Sequence, residues 1–185
     1  MSSPAAKRLT ADEFLTWAQA QASGRYELVC GELFALAPER ADHARAKLSA
    51  CSTLQAAIKR AGVTCEPFID GLAVRINDST VYEPDALVNC GPRVPGNVVI
   101  APNPTIVVEV LSPSTQHIDK TAKLIDYFSL AAVQHYLVID IEWRAIMHHR
   151  KDTANTVATT ICRQGQIALD PPGIEIAVAD LLDPQ

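Results

Sequence analysis

The sequence predicts an α/β (α+β) fold, a mixed β-sheet core flanked by helices. Three observations carry this expectation. The stretch PTIVVEVL, residues 104–111, is a run of strand formers without apolar/polar alternation, the pattern of a central strand covered on both faces. Residues 26–36, YELVCGELFAL, do alternate on either side of Cys30 and Gly31, as the arms of a β-hairpin do. Among such strand segments stand stretches of helical periodicity, the longest from Asp42 to Ala61, and strands mixed with helices in this way build a sheet with helices packed on it.

In chain order, Thr10 and Glu13 form a capping box with Leu9 and Phe14 at the staple positions, so a helix runs from Ala11 to about Ala22. In the hairpin that follows, Glu27 lies between Tyr26 and Leu28 and points to the opposite face from both. The helix over 42–61 is stopped by Gly62, and at 100° per residue His43, Leu54, Ile58 and Ala61 share a stripe, with Lys47 and Cys51 beside it. A histidine opening a buried stripe is by default the satisfied edge of a core. Strand segments then dominate: GLAVRIN, VYEPDALVN and PTIVVEVL, and, after one more helix, QHYLVID, AIMHHR, TVATTIC and IEIAVADLL. Four prolines make residues 91–104 a connection. With no internal repeat and no low-complexity linker, residues 1–185 read as one domain, with 1–9 flexible.

Composition narrows the function classes. Hydrophobic residues make up 48% and charged residues 20%, an ordinary globular balance. No apolar run approaches the roughly 18 residues a membrane span needs, and the start lacks the apolar core of a secretory signal, so a cytoplasmic setting is expected. The five cysteines are scattered without metal-ligand spacing, and reduced packing thiols are the expectation. A net charge of −5 argues against a broad basic surface that coats nucleic acid, but not against acidic residues gathered around a divalent cation.

Serine-nucleophile motifs, a P-loop and a GxGxxG fingerprint are all absent. His148 and His149 are adjacent on a strand, point to opposite faces and read as surface residues. Cys90 has nothing local to activate it as a nucleophile. What remains is acidic. Asp85 and Glu109 lie on two strand segments joined by the proline-rich connection, and adjacent strands would set their carboxylates side by side. Two such carboxylates repel unless a cation stands between them, and Mg²⁺ or Mn²⁺ accepts a sparse set of oxygen ligands. On the next helix Lys120, Lys123 and Tyr127 share a face that one lysine uses to reach the carboxylates. The plain alternative is a solvated lysine face.

The order RYELVCGEL, a histidine opening a helix, YEPDALV, PTIVVEVLSPST, DKTAKLIDYF and QHYLVID resembles the Uma2 family, from about Thr10 to IEIAVADLL. The most specific piece is VVEVLSPST followed by Asp119, Lys123 and Tyr127. The resemblance implies a restriction-endonuclease-like fold and the PD-(D/E)XK nuclease chemistry, in which two acidic residues on adjacent strands bind a metal and orient water. Pro84 and Asp85 match the first half of that motif and Glu109 the acidic residue of the second. Leu111 stands where the motif has its lysine, so Lys123 is implied to supply the ammonium. Glu27 and His43 match further family positions that line the cleft, and His135 stands where the family usually has a glutamate. The expectation is a Mg²⁺- or Mn²⁺-dependent endonuclease acting on DNA. Asp85, Glu109 and the Val110 backbone carbonyl hold the metal, and Lys123 orients and helps deprotonate the attacking water. Two copies pair as a homodimer to cut both strands. The alternative is a non-enzymatic module of the same fold that binds nucleic acid or a protein partner. The acidic charge favours the alternative; the intact set of Asp85, Glu109 and Lys123 favours the enzyme.

Overall fold

The computed structural model describes residues 8–111, 120–152 and 156–182. Helix α1 (Ala11–Gln19) starts as its capping box dictates, with the Glu13 N–H donated to Thr10 Oγ1 and the Thr10 N–H donated to the Glu13 carboxylate. It ends before Ala22 because Gln21 closes the last turn, its amide side chain on the Trp17 carbonyl and its N–H on Ala18. Leu9, inside the stretch expected to be flexible, donates its N–H to the Gly31 carbonyl. Strands β1 (Tyr26–Val29) and β2 (Glu32–Ala35) form the expected hairpin. Its two turn residues, Cys30 and Gly31, have φ of 51° and 83°, the left-handed pair that matches the twist of the flanking strands.

Helix α2 (Ala41–Ala61) ends at Gly62, whose φ of 67° lets its N–H turn back onto Ile58. The buried face of α2 is His43, Ala46, Lys47, Ala50, Leu54, Ala57 and Ile58, whereas Ala61 is exposed. The stripe is therefore rotated from the expected one. Small alanines let the helix approach the sheet closely, and Leu54, fully buried, contributes roughly 1.5–3 kcal/mol by leaving water.

Strands β3 (Cys65–Ile69), β4 (Val74–Asn77), β5 (Thr80–Tyr82), β6 (Ala86–Cys90) and β7 (Pro104–Val110) lead to α3 (Lys120–Ser129). Strands β8 (His135–Asp140), β9 (Ala145–Lys151), β10 (Val157–Cys162), β11 (Gln166–Leu169) and β12 (Ile174–Ala177) then lead to α4 (Val178–Leu182). The large sheet has the order β10-β9-β8-β7-β6-β3, with β7 and β8 parallel and the crossover between them made through α3. A smaller sheet has the order β2-β1-β5-β4, and β11 pairs with β12. On β7, Ile106, Val108 and Val110 pack with α2, α4, β11 and β12, while Val107 packs on the other face with Tyr82, Tyr127 and Tyr136. Both faces are covered, which is why this strand reads as an unbroken apolar run.

The structure corrects several expectations. VYEPDALVN is two strands in different sheets, because Pro84 has no N–H for a ladder and the chain changes sheets there. IEIAVADLL is likewise divided, its second half being α4. Strand β3, CEPFI, is not among the strand segments read from the sequence; Pro67 within it is tolerated because β3 is an edge. Cys65 and Cys90, directly opposite on β3 and β6, are joined as a disulfide, contrary to the reduced thiols expected of both. His148 is buried, not a surface residue: it faces His135, which is fully buried on the neighbouring strand.

Candidate active site

The site begins where the chain passes between sheets. Ala86 pairs with Val108, so Asp85 stands one residue before the ladder, level with Glu109 on the antiparallel neighbour. Asp85 Oδ2 accepts the Val110 N–H at 2.7 Å, a side-chain bond that ties the two chains at the level of Pro84. The Val110 N–H and carbonyl of an extended strand point to the same edge, which places that carbonyl on the Asp85 side. Asp85 Oδ1 lies 3.2 Å from His43 Nε2 on α2. Thus Asp85 is gripped by a strand on one side and a helix on the other.

Glu109 points to the opposite face of β7 from Val108 and Val110, toward α3. Its Oε1 accepts from Lys123 Nζ at 2.9 Å and from the Tyr127 hydroxyl at 2.8 Å, two residues one turn apart on α3. Lys123 also donates to Glu27 Oε1 at 3.0 Å, an oxygen that accepts the Glu83 N–H as well. Its ammonium lies 4.9 Å from the centre of the Tyr82 ring. Burial pushes the Glu109 carboxyl up to about 7; Lys123 opposes the rise, and Asp85 and Glu27 add to it. For Lys123 burial acts to lower the pKa, but Glu109 and Glu27 outweigh it and hold the ammonium protonated. Tyr127 is also raised, by burial first and by Glu109 second, so its hydroxyl remains a donor. These three groups form one unit that fixes the orientation of Glu109.

The α2 side carries a second set of charges that the sequence analysis did not assign. Lys47, one turn after His43, is 2% exposed. Its ammonium is hydrogen-bonded to Glu39 and Asp70 and lies 3.8 Å from Asp85 Oδ1. Arg25 reaches Glu39 at 2.7 Å, Asp70 at 2.9 Å and Glu83 at 2.8 Å. A lysine within the buried face of an apolar helix was the available signal, but the partners lie on distant segments that only folding brings together.

Of the residues expected at the site, Asp85, Glu109, Lys123, Glu27 and His43 converge, and Val110 contributes its backbone. The side chain of Lys120, and Asp119 with the segment 112–119, lie outside the described residues. The residues present fit a divalent cation. Glu109 Oε2 makes no hydrogen bond among the described residues, and Asp85 keeps a free lone pair on each oxygen. Among the described residues, Glu27 Oε2 is buried with no hydrogen-bond partner. An excess of carboxylates with unfilled acceptors is the donor set that Mg²⁺ or Mn²⁺ accepts. A second group of ligand-type side chains, Glu39, His43 and Asp85, has ligand atoms within 4.8 Å of one another.

Comparison with known proteins agrees with this architecture. The Uma2 family model, described as "Putative restriction endonuclease", matches residues 11–181. Two proteins of Synechocystis sp. (strain ATCC 27184 / PCC 6803 / Kazusa), both named as uncharacterized proteins, are similar in sequence. The one designated slr1290 is 27% identical over 177 residues, 92% of this chain and 90% of the relative. The one designated sll1609 is 31% identical over 148 residues, 78% of this chain and 82% of the relative. A crystal structure from Anabaena variabilis ATCC 29413, described as a putative nuclease belonging to DUF820, matches with a TM-score of 0.72 at 18% identity. The match covers 94% of this chain and 97% of that one, and it shows a shared fold.

Proposed function

The chain belongs to the Uma2 family, and from that membership we propose that it is a Mg²⁺- or Mn²⁺-dependent endonuclease that hydrolyses DNA phosphodiester bonds. The observation that carries the reading is the convergence of Asp85 and Glu109 on adjacent antiparallel strands, with Lys123 on the free face of Glu109. Asp85, Glu109 and the Val110 carbonyl would hold the cation. When bound, that ion supplies positive charge to the phosphate oxygens and acidifies water. Lys123, held as an ammonium, donates hydrogen bonds and orients the attacking water; it has no lone pair with which to take the water's proton, so the base role expected of it is dropped. Tyr127 keeps Glu109 Oε1 occupied and leaves Oε2 for the ion. Attack in line with the P–O3′ bond forms a P–O bond to water oxygen and breaks the bond to O3′; the water gives up a proton to bulk solvent and O3′ takes one from it, leaving a 3′-hydroxyl and a 5′-phosphate.

The homodimer belongs to the same reading, because one site per chain cuts a duplex most simply in pairs. What supports it is strand β10, an edge of the large sheet exposed along five of its six residues, with Ile161 66% exposed. Sedimentation giving a species near the 20.0 kDa chain mass, unchanged by DNA and Mg²⁺, excludes the dimer.

The test of the enzyme is cutting of plasmid DNA by purified protein with Mn²⁺ or Mg²⁺, stopped by EDTA. Asp85→Asn and Glu109→Gln should each reduce it at least about a hundredfold, as loss of a transition-state electrostatic group does. Cutting that persists in both variants sinks the reading. A second reading, a binding module without catalysis, draws on the ion pairs Lys123 makes with Glu109 and Glu27, which already offset charge in the metal-free site. Calorimetry that finds no Mg²⁺ or Mn²⁺ binding favours it.

A further inference from the structure

On the α2 side of Asp85, the oxygens of Glu39 and Asp85 and a ring nitrogen of His43 lie within 4.8 Å of one another. Counted as atoms, these would make a second divalent-ion site sharing Asp85 with the first, the layout of a two-metal centre. A cation of the protein's own already stands among them. The Lys47 ammonium is hydrogen-bonded to Glu39 Oε1, lies 2.8 and 2.7 Å from the two Asp70 oxygens, and is 3.8 Å from Asp85 Oδ1. An ammonium has three donors and no acceptor, and here every donor has a carboxylate to face.

Lys47 cannot easily retreat. Its side chain is 3% exposed, and its position one turn after His43 on the buried face of α2 directs its stem inward. Glu39 Oε1 is further claimed by Arg25 at 2.7 Å. An ion about 2.1 Å from Glu39 and Asp85, as Mg²⁺ requires, would bind the same two carboxylates that Lys47 faces. It would do so with no water between two positive charges, and such a pair is disfavoured.

We infer that Lys47 occupies the place of a second divalent ion, so that the centre takes one ion, on Asp85 and Glu109, and the other position is filled permanently by an ammonium. The inference deepens the metal-dependent reading given above and rests on it for the first ion. It assigns Lys47 as a positioning residue that acts through Asp85, and Arg25 as the group that keeps Glu39 turned toward Lys47.

The test is Mn²⁺ binding to the full chain, followed by electron paramagnetic resonance of the free ion and by calorimetry, with thermal melts of every variant. Wild-type protein should bind one Mn²⁺ per chain, and Glu39→Gln should leave that number at one. Lys47→Met keeps the length of the side chain and removes its charge; it should bind two, and adding Glu39→Gln should return it to one. Two ions on the wild type, with one lost in Glu39→Gln, overturns the inference, and it does so without requiring the Lys47 variant to fold. A folded Lys47→Met protein that still binds one also overturns it. Wild type that binds no Mn²⁺ fails the reading of Asp85 and Glu109 instead. The Lys47 claim is then decided separately, since Lys47→Met gains one ion if the lysine holds the place and none if it does not.

Discussion

The Lys123 ammonium lies 2.9 Å from Glu109 on the large sheet and 3.0 Å from Glu27 on the small one, so a single side chain ties the two sheets together across the site. Removing it leaves the buried Glu27 carboxylate and the half-buried Glu109 carboxylate without their cation. Lys123→Ala should therefore lose most DNA cutting and also destabilise the metal-free protein by roughly 3–5 kcal/mol, the usual cost of breaking a buried pair from one side. Lys120→Ala should weaken DNA binding at most. Urea melts and cutting assays on both variants check the ranking, and the reverse order would mean that α3 presents its other lysine to the metal.

Tyr127→Phe removes the second donor on Glu109 Oε1 and nothing else of comparable size. Metal affinity should fall about tenfold to a hundredfold, the range seen when a group orienting a metal ligand is lost. Calorimetry with Mn²⁺ measures this, and an unchanged affinity would reduce the Tyr127 hydroxyl to a packing group.

Metal binding should depend on pH through Glu109. Its carboxyl is raised to about 7 by burial, so in the metal-free protein below that pH it carries a proton that the cation must displace. Apparent Mn²⁺ affinity should drop as pH falls from 8 to 6, by up to about tenfold per unit below the pKa. Glu109→Gln should abolish this dependence along with most of the affinity.

His135 and His148 are both lowered to about 4, His135 mainly by burial and His148 by burial and then by His135. Their ring nitrogens are 2.9 Å apart, and the other nitrogen of His135 lies 3.0 Å from the Pro171 carbonyl. In the unfolded chain both titrate near 6.5, so between pH 6.5 and 4 the unfolded state binds more protons than the folded one, and stability falls as the pH is lowered. The loss should reach a few kcal/mol, at about 1.4 kcal/mol per pKa unit. Because Glu109 titrates in the opposite sense, urea melts are best made in the Glu109→Gln background. Imidazole resonances of these two residues should stay flat from pH 8 to about 5, and movement near 6.5 would contradict the pairing.

Protein unfolded without reductant should show three titratable thiols, those of Cys30, Cys51 and Cys162, with Cys65 and Cys90 joined. Cys90→Ser should cost roughly 3 kcal/mol, as expected for releasing a loop of this size. Five thiols would mean the bridge does not form.

Most of this architecture was legible locally. The capping box at Thr10, the left-handed turn at Cys30 and Gly31, and the doubly covered run around Val107 each follow from contacts within a few residues or from a periodicity. Asp85 and Glu109 could be grouped because acidic residues on neighbouring strands leave a sequence trace, whereas Lys123 was singled out from Lys120 by the family resemblance. Lys47 could not be assigned, because its partners Glu39, Asp70 and Asp85 lie 8, 23 and 38 positions away and carry no shared period. The pairing of His135 with His148 was hidden for the same reason: each residue looks ordinary until β8 and β9 fix their register. The disulfide was not expected because five scattered cysteines in a chain without a secretory signal read as reduced thiols, and only the register of β3 on β6 sets Cys65 opposite Cys90.

The three residues Glu83, Pro84 and Asp85 carry the chain from the small sheet to the large one. Glu83 is anchored at both ends, its N–H on Glu27 and its carboxylate accepting from Gly71 and Arg25. A segment this short, held at both ends, leaves little freedom between the two layers. The seating of the small sheet and the position of the Asp85 carboxylate are therefore set by the same three residues, and a substitution that loosens Glu83 should be felt at Asp85, two residues on.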